Sequence, residues 1–357
     1  MKLFKVIAFN CFTVLMLFSS CRAQEKEVVN DPAEYEYFAD WAIDTEYMEA
    51  GCNGGYDCIR SLDTPRFVGV EEVDFLQPED LVIGIRMGND VHCYPHVILD
   101  WHEIVNDKID DIAFSINYCP LTGSGMAWDR RVNGQLTQFG VSGLLYNSNV
   151  IPYDRATGSH WSQMRQQCVN GAYYKAKVTA YPVIETTWAT WKALYPNSQV
   201  VSTETGFRRD YGNYPYYSYK ENQDVFFPTA HDADSIHPKK RFYGVLEDDQ
   251  VALFDYNRFA FGPGVAADTA FEKKVWVAGS APDNYMVVFK TPANKPDFSL
   301  QSISGKGPAL LQDNEGYTYD LFGYVIDGPD EGIPLERMNG YTAYWFAWVA
   351  FFPELHL

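Results

Sequence analysis

Positive charge is scarce in this chain: 28 lysines and arginines stand against 47 aspartates and glutamates, a formal charge of −19 over 357 residues. Such a surface repels phosphate backbones and anionic headgroups alike, so nucleic acid is excluded as a partner and electrostatic attachment to a membrane is disfavoured. Long apolar runs are missing once the first eighteen residues are passed, and no later stretch reaches the roughly 18 apolar residues a membrane-crossing helix needs. Signature motifs are absent too. There is no C-x-x-C, no G-x-S-x-G, no phosphate-binding G-x-x-x-x-G-K-[ST] and no dinucleotide fingerprint. Dithiol redox chemistry, the serine nucleophile elbow and nucleotide-dependent chemistry are therefore set aside.

What the chain does have begins at its N-terminus. Lys2 and Lys5 precede an apolar run over residues 6–18, interrupted only by Asn10, and then Ser19-Ser20-Cys21. Residues 1–20 read as a secretion signal. The small residues before Cys21 are similar to a bacterial lipobox, although Phe18 is bulkier than usual there. The expectation is an exported protein anchored in the cell envelope through a lipid on Cys21, in the outer membrane on either face, with no other membrane contact. Removing the signal leaves 26 basic against 47 acidic residues, a formal −21. Cys52, Cys58, Cys93, Cys119 and Cys168 then remain besides Cys21, an odd number for an oxidising compartment. Cys52 and Cys58 bracket a glycine-rich loop and are expected to form a local disulfide.

With 46% hydrophobic residues the body can bury a sizeable core. Most of it reads as strands, including 81–88 and 91–95, so the expected fold is mainly β, an α+β chain with few helices, sandwich- or barrel-like. One helix is expected over residues 185–195, where Trp188, Trp191 and Tyr195 recur at helical spacing, and another within residues 31–50. Residues 206–240 read as an aromatic connection packed by its own side chains. The pattern then returns: VIGIRMGNDVHCY matches FYGVLEDDQVALF, pairing Gly84 with Gly244 and Val91 with Val251, and FGVSG from Phe139 finds a counterpart in FGYVIDG from Phe322. On this reading Cys119-Pro120 corresponds to Thr291-Pro292. The expected layout is a signal over 1–20, a tether and N-terminal segment over 21–50, a β-rich lobe over 51–205, the connection over 206–240, and a second, related lobe over 241–357.

Chemistry centres on Cys119. Residues 112–119 alternate, with Ile112, Phe114, Ile116 and Tyr118 on one face and Ala113, Ser115, Asn117 and Cys119 on the other. Pro120 ends the strand, and Gly123 and Gly125 let the following turn approach the thiol closely. Two histidines are candidate bases or co-ligands, His102 and His160. Twin tripeptides, Trp128-Asp129-Arg130 and Tyr153-Asp154-Arg155, offer two guanidiniums for an anion, or ion pairs that fix turns. His92, Cys93 and His96, with His102, have ligand types that suit zinc or copper, but His92 and Cys93 point to opposite faces of a strand, and Asp107 stands where a zinc-protease helix would carry its second histidine.

The stretches DLVIGI, WHEIVND, YCPLTGSGMAWDR, FGVSGLLYNS, YDRATGSHWSQ and TWATWKALYPNSQVVS, in this order, resemble the bacterial and archaeal family called domain of unknown function 3179. The likeness extends from about Gly51 to Phe352. It implies no established activity. Some relatives carry a second cysteine where this chain has Thr122, a departure that removes a dithiol here. The motif positions include Trp101, His102, Glu103, Asn106, Asp107, Cys119, Asp129, Arg130, Tyr153, Asp154, Arg155, Trp161 and Gln163, while His92, Cys93 and His96 fall outside the pattern.

Three readings stay open. The first is a thiol-centred site: Cys119 as nucleophile or thiolate ligand, His102 or His160 beside it, and Arg130 and Arg155, flanked by Asp129 and Asp154, holding an anionic substrate. It expects an accessible thiol of depressed pKa. The second is a non-catalytic envelope module for a small molecule, glycan or protein. The third is a copper or zinc carrier using Cys119, His102 and His160.

Overall fold

The computed structural model describes residues 40–233, 236–295, 297–303, 310–330 and 332–355. The signal, Cys21 and residues 31–39 of the expected N-terminal helix lie outside them. Of that helix the described part, from residue 40, is a 3-10 turn, Thr45–Tyr47, followed by a strand, Met48–Ala50, which pairs with residues 144–146.

The fold is mainly β, with 42% of residues in strands and three α-helices among the described residues. It is built from one element order used twice. The first pass begins with a hairpin, β1 (Leu81–Met87) and β2 (Asp90–Pro95), whose turn is made by Gly88 at φ +61°. A short helix, α1 (His96–His102), leads into a meander of β3 (Ile104–Ile109), β4 (Ile112–Cys119) and β5 (Ser124–Asp129). A sheet of β6 (Phe139–Tyr146), β7 (Asn149–Asp154), β8 (His160–Ser162) and β9 (Gln167–Asn170) follows. Finally β10 (Val183–Thr187) returns to pair with β1 and runs into α2 (Trp188–Leu194).

After the connection the order recurs. A hairpin of β11 (Arg241–Glu247) and β12 (Gln250–Asp255) is followed by a 3-10 helix, Tyr256–Phe259, and a meander of β13 (Gly264–Ala270), β14 (Lys273–Ser280) and β15 (Tyr285–Lys290). A four-stranded sheet comes next: β16 (Leu300–Ser302), β17 (Leu311–Asp313), β18 (Thr318–Tyr319) and β19 (Val325–Asp327). Then β20 (Gly340–Tyr344) pairs back onto β11 and opens α3 (Trp345–Phe351). The Gly84–Gly244 and Val91–Val251 matches hold, because each lies at the same place in its hairpin. Two anchors need correction. β4 and β14 are both eight residues long and both end in a four-residue turn, so the counterpart of Cys119-Pro120 is Ser280-Ala281, not Thr291-Pro292. Phe139 opens β6, the first of the successive strands β6–β9, whereas Phe322 follows β18, the third of β16–β19, so those two are not equivalent.

The halves are closed on each other. In the turn after β4, the Thr122 carbonyl accepts the Tyr344 N–H at the β20–α3 junction (2.8 Å); in the turn after β14, the Asp283 carbonyl accepts the Thr187 N–H at the β10–α2 junction (3.1 Å). Hydrophobic burial follows the same exchange. Trp345 and Trp348 of α3 share a core with Trp128, Phe139 and Trp161 of the first half, while Trp188 and Trp191 of α2 share one with Trp276, Tyr285 and Phe289 of the second. Each closing helix thus lies on its own hairpin, with Trp191 over Gly84 and Trp348 over Gly244, and turns its other side into a core shared with the opposite half; fully burying one such side chain is worth about 1.5–3 kcal/mol. Among the described residues no sheet closes into a barrel.

Only seven residues form each α-helix, too few to be stable without such burial. α2 is shorter than expected because Glu185 belongs to β10 and Thr187 caps the helix, its hydroxyl accepting the Thr190 N–H. Trp188, Trp191 and Tyr195 are core residues, as their spacing suggested. α1 and α3 were not anticipated. α3 is apolar on every side, WFAWVAF, so it shows no amphipathic period to detect.

Candidate functional site

Cys119 ends β4 on the small, polar face. Phe114, Ile116 and Tyr118 join one core, and Cys119 joins another on the opposite side of the strand. Behind the thiol lies a buried polar layer. The Gln163 side-chain oxygen accepts from Ser124 Oγ and Asn149 Nδ2 (both 2.7 Å), its amide donates to the Asn117 carbonyl (2.9 Å), and Asn149 also donates to Thr122 Oγ1 (2.9 Å). These bonds hold the turn over residues 120–123 from beneath.

The thiol itself is 1% exposed and lies 3.8 Å from the Ser148 carbonyl. Burial, aided by the nearby Glu103 carboxyl, pushes its pKa up to about 11, although hydrogen bonds from Thr122 pull the other way. An accessible thiol of depressed pKa is therefore not what the fold builds. Cys93 and Cys168 are buried free thiols as well, and Cys52 and Cys58 form the expected disulfide.

Glu103 is the unanticipated neighbour. It ends α1 at φ 58°, ψ −39°, a conformation strained by roughly 1–3 kcal/mol for a residue with a Cβ. Its N–H reaches back to the Leu99 carbonyl (2.7 Å), and its carbonyl accepts the Tyr118 N–H (2.7 Å), so helix end and strand ladder meet in one residue. Burial raises the Glu103 carboxyl to about 7, against a hydrogen bond from Tyr216. Tyr214, Tyr216 and Tyr219 of the aromatic connection lie over this corner. Tyr219 donates to the Leu121 carbonyl (2.8 Å), and the Tyr214 and Tyr219 rings are close enough for Cys119 to perturb both hydroxyls.

On the other face of β4 opens a cavity of about 210 Å³ between the halves, walled by His96, Asp100, Tyr118, Gly123, Arg241 and Tyr344, with Lys220 and Asp80 at its rim. Its charges are largely paired. Lys220 lies 2.9 Å from Asp100, and Arg241 binds Glu185 and donates to Asn284 Oδ1 (3.0 Å). Burial brings Asp100 to about 6, with Lys220 opposing, and burial, then Lys220 and Arg241, hold His96 well below the usual histidine range. His96 is 5% exposed, and its Nε2 has no hydrogen-bond partner, the nearest carboxylate oxygen, of Glu185, being 3.6 Å away. The Nε of Arg241 and the hydroxyl of Tyr214 are likewise buried without a partner.

The residues singled out from the sequence do not gather at Cys119. His102 donates from Nδ1 to the Arg60 carbonyl (2.6 Å) and accepts the Tyr211 hydroxyl at Nε2 (2.6 Å), a pairing that fixes its tautomer. Burial lowers its pKa. His160 sits between Trp41 and Tyr56, with Nε2 3.2 Å from the Tyr56 hydroxyl, and burial takes it down to about 4. Among the described residues no three histidine, cysteine, aspartate or glutamate side chains are placed to hold one metal ion, so Cys119, His102 and His160 do not converge as zinc or copper ligands.

The arginines are engaged elsewhere. Arg155 binds Asp63 (2.6 Å), Asp57 (2.9 Å) and Gln138, tying the disulfide loop to the sheet; burial alone would lower its pKa, but these partners raise it. Arg130 donates to the Thr137 carbonyl (2.7 Å), and burial and the neighbouring Arg155 bring it down to about 10. Asp129 accepts the Arg131 N–H and the Tyr181 hydroxyl, and Asp154 accepts Thr157 and the Trp161 indole. These are turn-fixing contacts rather than an anion clamp. His92 pairs with Asp107 (2.7 Å), and Cys93 faces a separate core. Of that cluster, only His96 reaches the cavity.

Sequence reasoning missed the cavity because its walls come from α1, the turn after β4, the connection and the second half. Only the motif membership of Glu103 and the density of tyrosines at 211–219 pointed to this corner.

No curated protein and no solved structure matches the chain. A family model described as "Protein of unknown function (DUF3179)" matches residues 56–355, and the chain belongs to that family.

Proposed function

We propose that this chain is an exported, lipid-anchored binding protein of the cell envelope, holding a small polar ligand in the cavity between its halves without chemically altering it. One observation carries the reading: the buried His96 Nε2, with no hydrogen-bond partner, on the cavity wall. A buried polar atom left unpaired costs about 1–3 kcal/mol, and a ligand atom would repay that cost. Small concave sites with convergent polar groups and perturbed pKa values are where ligands bind. Lipidation of Cys21 supplies the anchor, and no helix of the described residues is long and apolar enough to cross a membrane.

The test is native mass spectrometry of the mature protein purified from its own envelope. A small-molecule adduct that disappears in His96→Phe is expected. An adduct retained by that variant would place the ligand elsewhere. For the anchor, Cys21→Ala should move the protein from the membrane to the soluble fraction.

A second reading, thiol chemistry at Cys119, is favoured by Glu103. A carboxyl titrating at about 7 beside a thiol is a candidate base, once the tyrosines above it move away.

A further inference from the structure

The two halves meet at two equivalent junctions, and the first of them borders the cavity. Thr122-Gly123 corresponds to Asp283-Asn284, since Thr122 and Asp283 accept equivalent N–H groups from the opposite half. At the second junction the Asp283 carboxylate takes the hydroxyls of Ser280 (2.6 Å) and Thr190 (3.0 Å), and the Asn284 side chain accepts from Arg241. At the first, Gly123 has no side chain, and a Cβ there would come within 2.9 Å of the Tyr344 ring. The bare Gly123 lets the Tyr344 ring close onto the turn, and the two together form one wall of the cavity.

Resting on the cavity as the binding site, we infer that its ligand is an uncharged polyhydroxylated ring, a sugar residue, held against the wall that Gly123 and Tyr344 form. Charge balance argues for neutrality. Lys220 and Arg241 are already matched by Asp100 and Glu185, while Glu79 and Asp80 at the rim add negative charge. A carboxylate or phosphate would meet that unmatched negative charge, and an ammonium, which has no lone pair, could not accept from the Arg241 Nε–H. A hydroxyl does neither, because it donates to a carboxylate and accepts from a guanidinium or imidazole in turn. His96 Nε2 and Arg241 Nε are the unpaired atoms such hydroxyls would meet. Tyr118 and Tyr344 give the walls aromatic surface for the C–H faces of a ring. The cavity's 210 Å³ is below the size of a drug-like pocket, room for one ring rather than a chain.

The experiment is titration calorimetry of the full mature chain with three probe sets: free monosaccharides and their disaccharides; acetate, lactate and glycine; and short alkylamines. Gly123→Asn is the blocking variant. Asn284 already occupies the equivalent position at φ 54°, close to the 60° of Gly123, so the backbone angle suits asparagine, while its Cβ, 2.9 Å from the Tyr344 ring, forces that wall of the cavity to shift. Val97→Phe, at the half-buried wall, is the second blocker should the first fail to fold. A saturable sugar signal weakened at least about tenfold by either blocker is expected, as is a similar loss in His96→Phe. Binding by disaccharides alone would identify the ring as the end of a glycan. If only acids or amines bind and the blockers abolish it, the sugar assignment is overturned while the cavity stands. Sugar binding untouched by both blockers overturns the cavity itself, and no saturable signal with any sugar overturns the assignment.

Discussion

Gly84 lies directly beneath the Trp191 indole: a Cβ built on this glycine would fall 1.8 Å from the ring. Gly244 stands the same way under Trp348, at 2.5 Å. Both rings are completely buried and cannot retreat without opening a core. Gly84→Ala and Gly244→Ala are therefore expected to destabilise the protein by about 1–3 kcal/mol or more each, Gly84→Ala the more. Urea unfolding followed by tryptophan fluorescence measures it, and a variant as stable as wild type would show that the helices move freely over the hairpins.

Glu103 gives a pH signature. Its folded pKa of about 7 lies above the ordinary 4.5, so the folded state favours the protonated carboxyl. The contribution is fully present below about pH 4.5 and lost as pH rises through 7; the full difference amounts to about 3 kcal/mol. Glu103→Gln, which mimics the protonated form, should match wild type near pH 4 and exceed it in stability at pH 8. A stability difference that stays constant over that range would mean the carboxyl is solvated in the folded protein.

Cys119 should resist alkylation. With the thiol buried and pushed up to about 11, iodoacetamide at pH 8 is expected to leave it unmodified until the protein unfolds. Tyr216→Ala, which removes part of the cover, should accelerate labelling there and leave Cys93 unchanged. Peptide mass mapping after timed labelling reads both. Rapid modification in the wild-type protein would favour the nucleophile.

Arg155 is a structural clamp. Arg155→Ala strands Asp57 and Asp63 near the buried sheet and should cost about 3–5 kcal/mol, whereas Arg66→Ala, whose pair with Glu204 is exposed, should cost less than about 1 kcal/mol. Thermal unfolding of the two variants side by side checks the contrast.

Local pattern carried much of this architecture. The alternation over 112–119 placed Cys119 on the polar face, the spacing of Trp188 and Trp191 marked a helix, and Cys52 and Cys58 found each other across a short loop. What local pattern could not carry was distance. TWATWKALYP and YWFAWVAFFP are the two closing helices of the repeat, but the second has no polar face, so only the structure shows them as counterparts. The cavity was equally hidden, since His96 and Arg241 are 145 positions apart and meet only because the halves interlock. Arg130 and Arg155 drew attention as charged residues beside aspartates, yet their real partners come from elsewhere in the fold.

The reciprocal turn-to-junction bonds between the halves have a further consequence. One half standing alone would leave its turn and the outer side of its closing helix uncovered, and could hide them by forming a two-fold homodimer through an isologous interface. Such a dimer is bound to have two identical pockets or none. Two unlike halves in one polypeptide are free of that restriction, so that one junction carries the bonded side chains of Asp283 and Asn284 while the other, at Gly123, borders the cavity.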